Sequence, residues 1–209
     1  MAKSPMPPRR ITVFGSSTVY GTADDEMGGF VQRLRLWHEA RDPQNRVYNL
    51  GIWGEQTSAL CERIASEAQA RQPHLILIYA GFNDSRRVGS AEGPNATPID
   101  AFAQLLRELL SAALGVAPTA VMTGYPFDEE RTQPYPGTPA YYRLEDALLY
   151  NQTLTDVAES LEVKVIDFFG HFRNTDMRPL LASDGLHGNA ACHHQLFELT
   201  RQFLEREYA

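Results

Sequence analysis

The sequence predicts an α/β fold: one parallel sheet of five strands, with helices on both faces. Three observations predict it. Short aliphatic or β-branched runs alternate with helix-period segments along the whole chain. The central run, Leu75-Ile76-Leu77-Ile78-Tyr79-Ala80, is apolar at every position, as a parallel strand covered on both faces must be. The chain has 209 residues, 43% of them hydrophobic and 22% charged, which is enough for one buried core and unlike a disordered chain.

The elements follow in order. Residues 10–14, Arg-Ile-Thr-Val-Phe, form the first strand and end at Gly15. Residues 28–40 carry Phe30, Val31, Leu34 and Trp37 at helical spacing. Residues 46–50 are the second strand, ending at Gly51, and 55–71 the next helix, with Leu60, Ile64, Ala65 and Ala68 on one face and Pro73 as its stop. After the central strand, 99–114 is an amphipathic helix closed by Gly115 and Pro118. Residues 120–123 are the fourth strand, 143–161 a helix, 163–168 the fifth strand and 189–205 the last helix. Right-handed crossovers then place helices on each side of the sheet. The whole of 1–209 reads as a single domain, with 1–9 as a flexible N-terminal extension. Two loops are long, 124–142 and 170–188, and long loops in a compact domain are often functional.

Composition excludes several classes. Nineteen basic against 26 acidic residues give a net charge of −7, the wrong sign for a nucleic-acid binder. Two cysteines, Cys61 and Cys192, give neither a disulfide framework nor a zinc-ligand spacing, and both read as small buried hydrophobes. The N-terminal residues lack an apolar run of signal-peptide length and no stretch has the length of a membrane span, so a cytoplasmic location is expected.

In an open parallel sheet, ligands bind beyond the carboxyl ends of the strands. Four segments fall at that rim: Gly15-Ser16-Ser17, Asn49-Leu50-Gly51, Gly81-Phe82-Asn83-Asp84 and Asp184-Gly185-Leu186-His187. Acyl transfer needs a hydroxyl nucleophile, a base to take its proton, a carboxylate to fix the tautomer of that base, and donors for the oxyanion. Ser17 after the first strand, His187, and Asp184 three residues before it can supply the first three. The backbone N–H groups of Ser17 and Gly51 and the side-chain amide of Asn83 are candidate oxyanion donors.

Taken singly, each residue has an ordinary reading: Ser17 as a turn or N-cap, Asn83 and Asp84 as turn formers, Gly51 as a strand terminator, His187 as a surface histidine. Their joint occurrence at one rim carries the argument. His193 and His194, early in the last helix, read as structural or exposed, His171 and His74 lack a partner pattern, and Asp167 reads as a cap or a loop brace. Trp53 can line an acyl pocket or pack on the sheet. Tyr125, Phe127, Tyr135, Tyr141 and Tyr142 can form a substrate wall or a loop mini-core.

In order and spacing, these four segments resemble the conserved blocks of the SGNH (GDSL-type) hydrolase family. The resemblance implies a three-layer flavodoxin-like fold and a serine esterase or acylhydrolase. It implies Ser17, Asp184 and His187 as the triad, Ser17, Gly51 and Asn83 as the oxyanion hole, and no metal or cofactor. Tyr20-Gly21-Thr22-Ala23-Asp24 with Gly28-Gly29-Phe30 is similar to a bacterial lipase/acylhydrolase subgroup. Ser16 departs from the family, which usually has Asp there to brace the nucleophile loop, and the departure bears on efficiency more than on identity. Short-chain, lysophospholipid and acetylated-sugar esters are all within the family's range. The alternatives are a non-catalytic acyl- or sugar-binding module on the same fold, and a phosphate- or flavin-binding relative using the Ser-rich loop at a helix N-terminus.

Overall fold

The computed structural model describes residues 8–208. In chain order the elements are β1 (Arg10–Gly15), α1 (Ser17–Tyr20), α2 (Phe30–Glu39), β2 (Arg46–Gly51), α3 (Thr57–Arg71), β3 (Leu75–Tyr79), β4 (Arg87–Val88), α4 (Ile99–Leu114), β5 (Thr119–Met122), β6 (Ala140–Tyr141), α5 (Leu144–Ser160), β7 (Lys164–Ile166), α6 (Phe168–Phe172) and α7 (Ala190–Tyr208). Five strands form one parallel sheet in the order β2-β1-β3-β5-β7, and β4 and β6 form a separate antiparallel pair. The expected five-stranded α/β sandwich is therefore the observed one.

The side-chain period of two along each strand sorts the core into two layers. On β3, Leu75, Leu77 and Tyr79 join a cluster with Phe30, Leu34, Leu196 and Phe203 from α2 and α7. Ile76 and Ile78 face the other way, onto Leu60, Ile64, Phe102, Leu106 and Leu154 from α3, α4 and α5. All five residues of β3 are buried, which explains its unbroken apolar run. At ~25 cal/mol per Å² of buried apolar area, these two layers dominate the favourable side of folding.

Boundaries differ from the expected ones by up to three residues, the last helix running on to Tyr208. The fifth strand ends at Ile166 because the Asp167 side chain caps a new short helix, accepting from Gly170 N–H at 2.8 Å. Asp167 is thus a cap, as its position in the sequence implied. The first amphipathic helix begins at Phe30, since Gly28 and Gly29 lie at φ of 76° and 101°. The β4–β6 pair has no counterpart in the sequence reading: two-residue strands carry no readable period. Of the extension expected at 1–9, residues 1–7 lie outside the described residues. Pro8 is buried, and the Arg9 carbonyl accepts from Arg46 N–H at 2.8 Å.

The topology positions the site. β1 pairs with β2 on one side and β3 on the other, so the chain reverses its winding direction there. A crevice opens at such a switch point, outside the carboxyl ends of the strands.

Candidate active site

Ser17 is the first residue of α1, immediately beyond β1, where the leading N–H groups of a helix have no partner within it. It is 8% exposed. His187 and Asp184 sit in the segment between α6 and α7. That segment is pinned by Ala182 N–H to His187 O at 2.8 Å and Asn189 N–H to Leu180 O at 2.9 Å. Gly185 turns it, at φ 73°, a conformation that favours glycine.

Ser17, His187 and Asp184 come together. His187 Nε2 lies 2.8 Å from Ser17 Oγ, and His187 Nδ1 lies 2.6 Å from Asp184 Oδ2. A carboxylate can only accept, so Nδ1 carries the proton and Nε2 presents its lone pair to the Ser17 hydroxyl. Asp184 Oδ1 also accepts from the N–H groups of Leu186 and His187, at 2.9 and 3.0 Å. Burial pushes the Asp184 carboxyl up, but the His187 ring and these two N–H groups outweigh it and hold it at about 2. Tyr135 adds a further donor, its hydroxyl 3.1 Å from Asp184 Oδ2. Burial, with the Asp184 charge second, raises the Tyr135 phenol to about 12.

The candidate oxyanion donors are placed unequally. Asn83 is 6% exposed and lines the cavity beside Ser17. One amide hydrogen goes to Glu55 O at 3.0 Å, which leaves the second. Gly51 lies against α1: a Cβ there would come within 2.2 Å of Tyr20 N. Its N–H donates to Asn49 Oδ1 at 3.0 Å, and Gly51 is not among the residues lining the cavity. Asn49 also donates to Val19 O at 2.8 Å, tying α1 to β2.

The cavity holds about 260 Å³. Ser17, Asn83 and His187 line it together with Trp53, Val88, Tyr135 and Tyr142. Trp53 is 60% exposed and its ring lies 6.4 Å from that of His187, 25° from parallel. It lines the cleft and does not pack on the sheet. The aromatic loop fills both roles left open by its sequence. Tyr125 and Phe127 are core, whereas Tyr135 and Tyr142 form wall. The Tyr125 hydroxyl accepts from Gly188 N–H at 3.0 Å, fixing the residue after His187. The Tyr142 hydroxyl donates to Asn83 Oδ1 at 3.0 Å. Period-based reading could not assign these contacts, because the loop has no repeat. Its density of aromatics was the available signal.

Other residues singled out by sequence lie elsewhere. Asp24 accepts from the N–H groups of Glu26, Met27 and Gly29 and from Arg33. Burial pushes its carboxyl up, but those N–H groups and the Arg33 charge hold it below the usual range. His193 is fully buried, accepting Phe30 N–H at Nδ1 and facing Thr22 O with Nε2, a neutral structural imidazole whose pKa burial lowers. Asp84 accepts from Thr57 N–H, Thr57 Oγ1 and Thr97 Oγ1, capping α3 from a distant loop, since Gln56 makes no side-chain cap. Burial raises the Asp84 carboxyl. His171, His194 and His74 are exposed, and Ser16 is buried without a side-chain cap to α1. Cys192 is buried and Cys61 half-buried, both free thiols. Among the described residues no group of three or more His, Cys, Asp and Glu could hold a metal ion, and no helix is long and apolar enough to cross a membrane.

Residues 13–195 match the profile of the GDSL-like Lipase/Acylhydrolase family. No curated protein matches the sequence. Among solved structures, the lipase/acylhydrolase from Enterococcus faecalis superposes with a TM-score of 0.76 at 20% identity, over 95% of this chain and 96% of that one. The psychrotrophic esterase from Pseudoalteromonas sp. gives 0.70 at 18% identity, over 95% and 97%. An acetylxylan esterase from Geobacillus stearothermophilus gives 0.71 at 18%, over 94% of each. At such identities the likeness is one of fold.

Proposed function

We propose that this chain, which belongs to the GDSL-like Lipase/Acylhydrolase family, hydrolyses small carboxylic esters through an acyl-serine intermediate. One observation carries the reading: an unbroken line of hydrogen bonds from Ser17 Oγ through His187 to Asp184, at 2.8 and 2.6 Å, with Ser17 and His187 lining an open cavity.

In this reading Ser17 Oγ attacks the ester carbonyl while its proton passes to His187 Nε2. Asp184 holds the ring and stabilises the imidazolium without taking the proton. The carbonyl oxygen becomes an oxyanion, received by the Ser17 N–H and the second amide hydrogen of Asn83. Gly51 N–H, engaged by Asn49 Oδ1 and outside the cavity lining, joins them only by turning from that acceptor toward the oxygen. The tetrahedral species collapses, the C–O bond to the alcohol breaks, and His187 returns the proton to the departing alkoxide. Water then attacks the acyl-serine by the same proton route, releasing the acid and restoring the Ser17 hydroxyl. No step calls for a metal or cofactor.

A cavity of about 260 Å³ is below the usual range for drug-sized ligands and favours a short acyl group. An acetyl group fits that size, and the exposed Trp53 indole beside the cleft offers a face for a sugar ring as the alcohol half. The test is a nitrophenyl ester series from acetate to laurate, with fluorophosphonate labelling. Turnover of the short members and labelling that disappears in Ser17→Ala are expected. No turnover and no labelling of the intact protein would overturn the reading in favour of a binding module.

A further inference from the structure

The β4–β6 arm carries two adjacent arginines with opposite fates. Arg86, immediately before β4, and Val88 both face the cleft, whereas Arg87 between them takes the other side, as alternation in extended chain implies. On the outer face, Arg87 Nε meets Asp146 Oδ2 at 2.6 Å, and its Nη2 lies 3.3 Å from Glu145 Oε1. It is fully neutralised. Across the ladder Arg87 pairs with Tyr141, which leaves Ala140 and Tyr142 on the Arg86 side. Arg86, Val88, Ala140 and Tyr142 all line the Ser17 cavity.

Arg86 has no carboxylate within ion-pair distance among the described residues, and no Asp or Glu lines the cavity. Its neighbour there is the Tyr142 phenol, whose upward push from burial is opposed by the Arg86 charge. An arginine carries a permanent charge and a planar fork suited to a carboxylate. The chain as a whole is acidic, at −7, so a cation without a carboxylate partner in the Ser17–His187 cleft stands against the general field. A half-buried guanidinium without a carboxylate partner in the cleft is expected to be completed by what enters it.

We propose that Arg86 is a specificity-determining residue that selects esters carrying a carboxylate near the scissile bond. The proposal rests on the esterase reading above. The anion can sit on the acyl or the alcohol half, because Arg86 borders the same space as Ser17.

Two matched pairs test it: monoethyl succinate against ethyl butyrate for the acyl half, and 4-acetoxybenzoate against phenyl acetate for the alcohol half. Each is followed by product formation in the intact protein, Arg86→Gln and Arg86→Lys. In at least one pair the charged ester is expected to have the higher kcat/KM. Arg86→Gln should lower the charged-to-neutral ratio of that pair by about 10- to 100-fold, as loss of a charged hydrogen bond does. Arg86→Lys should restore part of it, and salt should erode the wild-type ratio. Hydrolysis with ratios unmoved in both pairs overturns the proposal and leaves the esterase reading standing. So does an equal loss on charged and neutral esters, which assigns Arg86 to bracing Tyr142. Failure to turn over any of the four esters, with Ser17 unlabelled, overturns the esterase reading and this proposal together.

Discussion

Tyr142 donates its phenolic hydrogen to Asn83 Oδ1 at 3.0 Å, and this bond decides which way the Asn83 amide faces. On the other side of the amide lies Glu55 O, which can only accept, so Nδ2 must point there. Both ends of the side chain are thereby committed, and one Nδ2 hydrogen is left for the cavity. The residue that orients the turn after β3 comes from a loop almost sixty positions away.

Tyr142→Phe removes that orienting bond and the phenol beside Arg86, while the ring stays packed against Phe82, Phe127 and Tyr135. A neutral hydrogen bond is worth about 0.5–1.5 kcal/mol, so kcat on a short nitrophenyl ester should fall about 3- to 10-fold with KM nearly unmoved. Steady-state kinetics check it. A rise in KM with unchanged kcat would assign Tyr142 to substrate binding and not to the amide.

Ser16 and Ser17 are neighbours, but only Ser17 Oγ reaches His187 Nε2. Ser17→Ala should lower kcat by about 10³ or more, as loss of a nucleophile does. Ser16→Ala removes a buried hydroxyl that makes no cap to α1 and should stay within about tenfold of the parent. Mass spectrometry of the fluorophosphonate adduct locates the label. An adduct on Ser16 would reverse the assignment.

The sheet was legible because its information is local. The unbroken apolar run at 75–79 and the helical stripes at Phe102, Leu106, Leu109 and Leu110 repeat within a few residues, and burial follows them. The proximity of Asp184 and His187 was equally local, a four-residue turn. Meeting Ser17 across 170 positions was readable only through the rule that parallel strands end at one rim. What sequence could not reveal is which neighbours engage a donor. Gly51 N–H is held by Asn49 Oδ1, two residues before it, although both stood in view. The β4–β6 arm was illegible for a different reason: two-residue strands have no period, and Arg86 differs from Arg87 only by the face each takes.

Gly51 is tightly constrained for a reason separate from any oxyanion role. A methyl group there would sit 2.2 Å from Tyr20 N and 2.8 Å from Tyr20 Cα, all backbone of the short helix that begins with Ser17. Gly51→Ala must therefore push α1 away from β2. Overpacking of this kind costs about 1–3 kcal/mol, which lowers the melting temperature by several degrees in a chain of this size. A shift of Ser17 of about 1 Å costs on the order of 10² in rate. Circular-dichroism melting and kcat/KM measure the two effects. Both unchanged would mean that the contact relaxes without moving Ser17.

Asp184 links the site to acid stability. Its carboxyl sits at about 2 in the folded chain against an ordinary 3.8, so the folded state holds the ionised form more tightly than the unfolded one. The contribution is fully present above about pH 5 and is lost as pH falls through about 2. It amounts to about 2 kcal/mol at most, because the side chain keeps 23% of its exposure to water. Asp184→Asn removes it. Urea midpoints of the parent should therefore drop more steeply between pH 4.5 and pH 2.5 (about two units) than those of the variant, with Asp24 titrating equally in both. At neutral pH the Asn amide can donate to His187 Nδ1 and so favour the tautomer with its proton on Nε2. That nitrogen then has no lone pair for Ser17, and kcat should fall by about 10³–10⁴ with labelling of Ser17 slowed in parallel. Parallel pH slopes together with an undiminished kcat would show that the carboxylate neither holds the ring nor stabilises the fold.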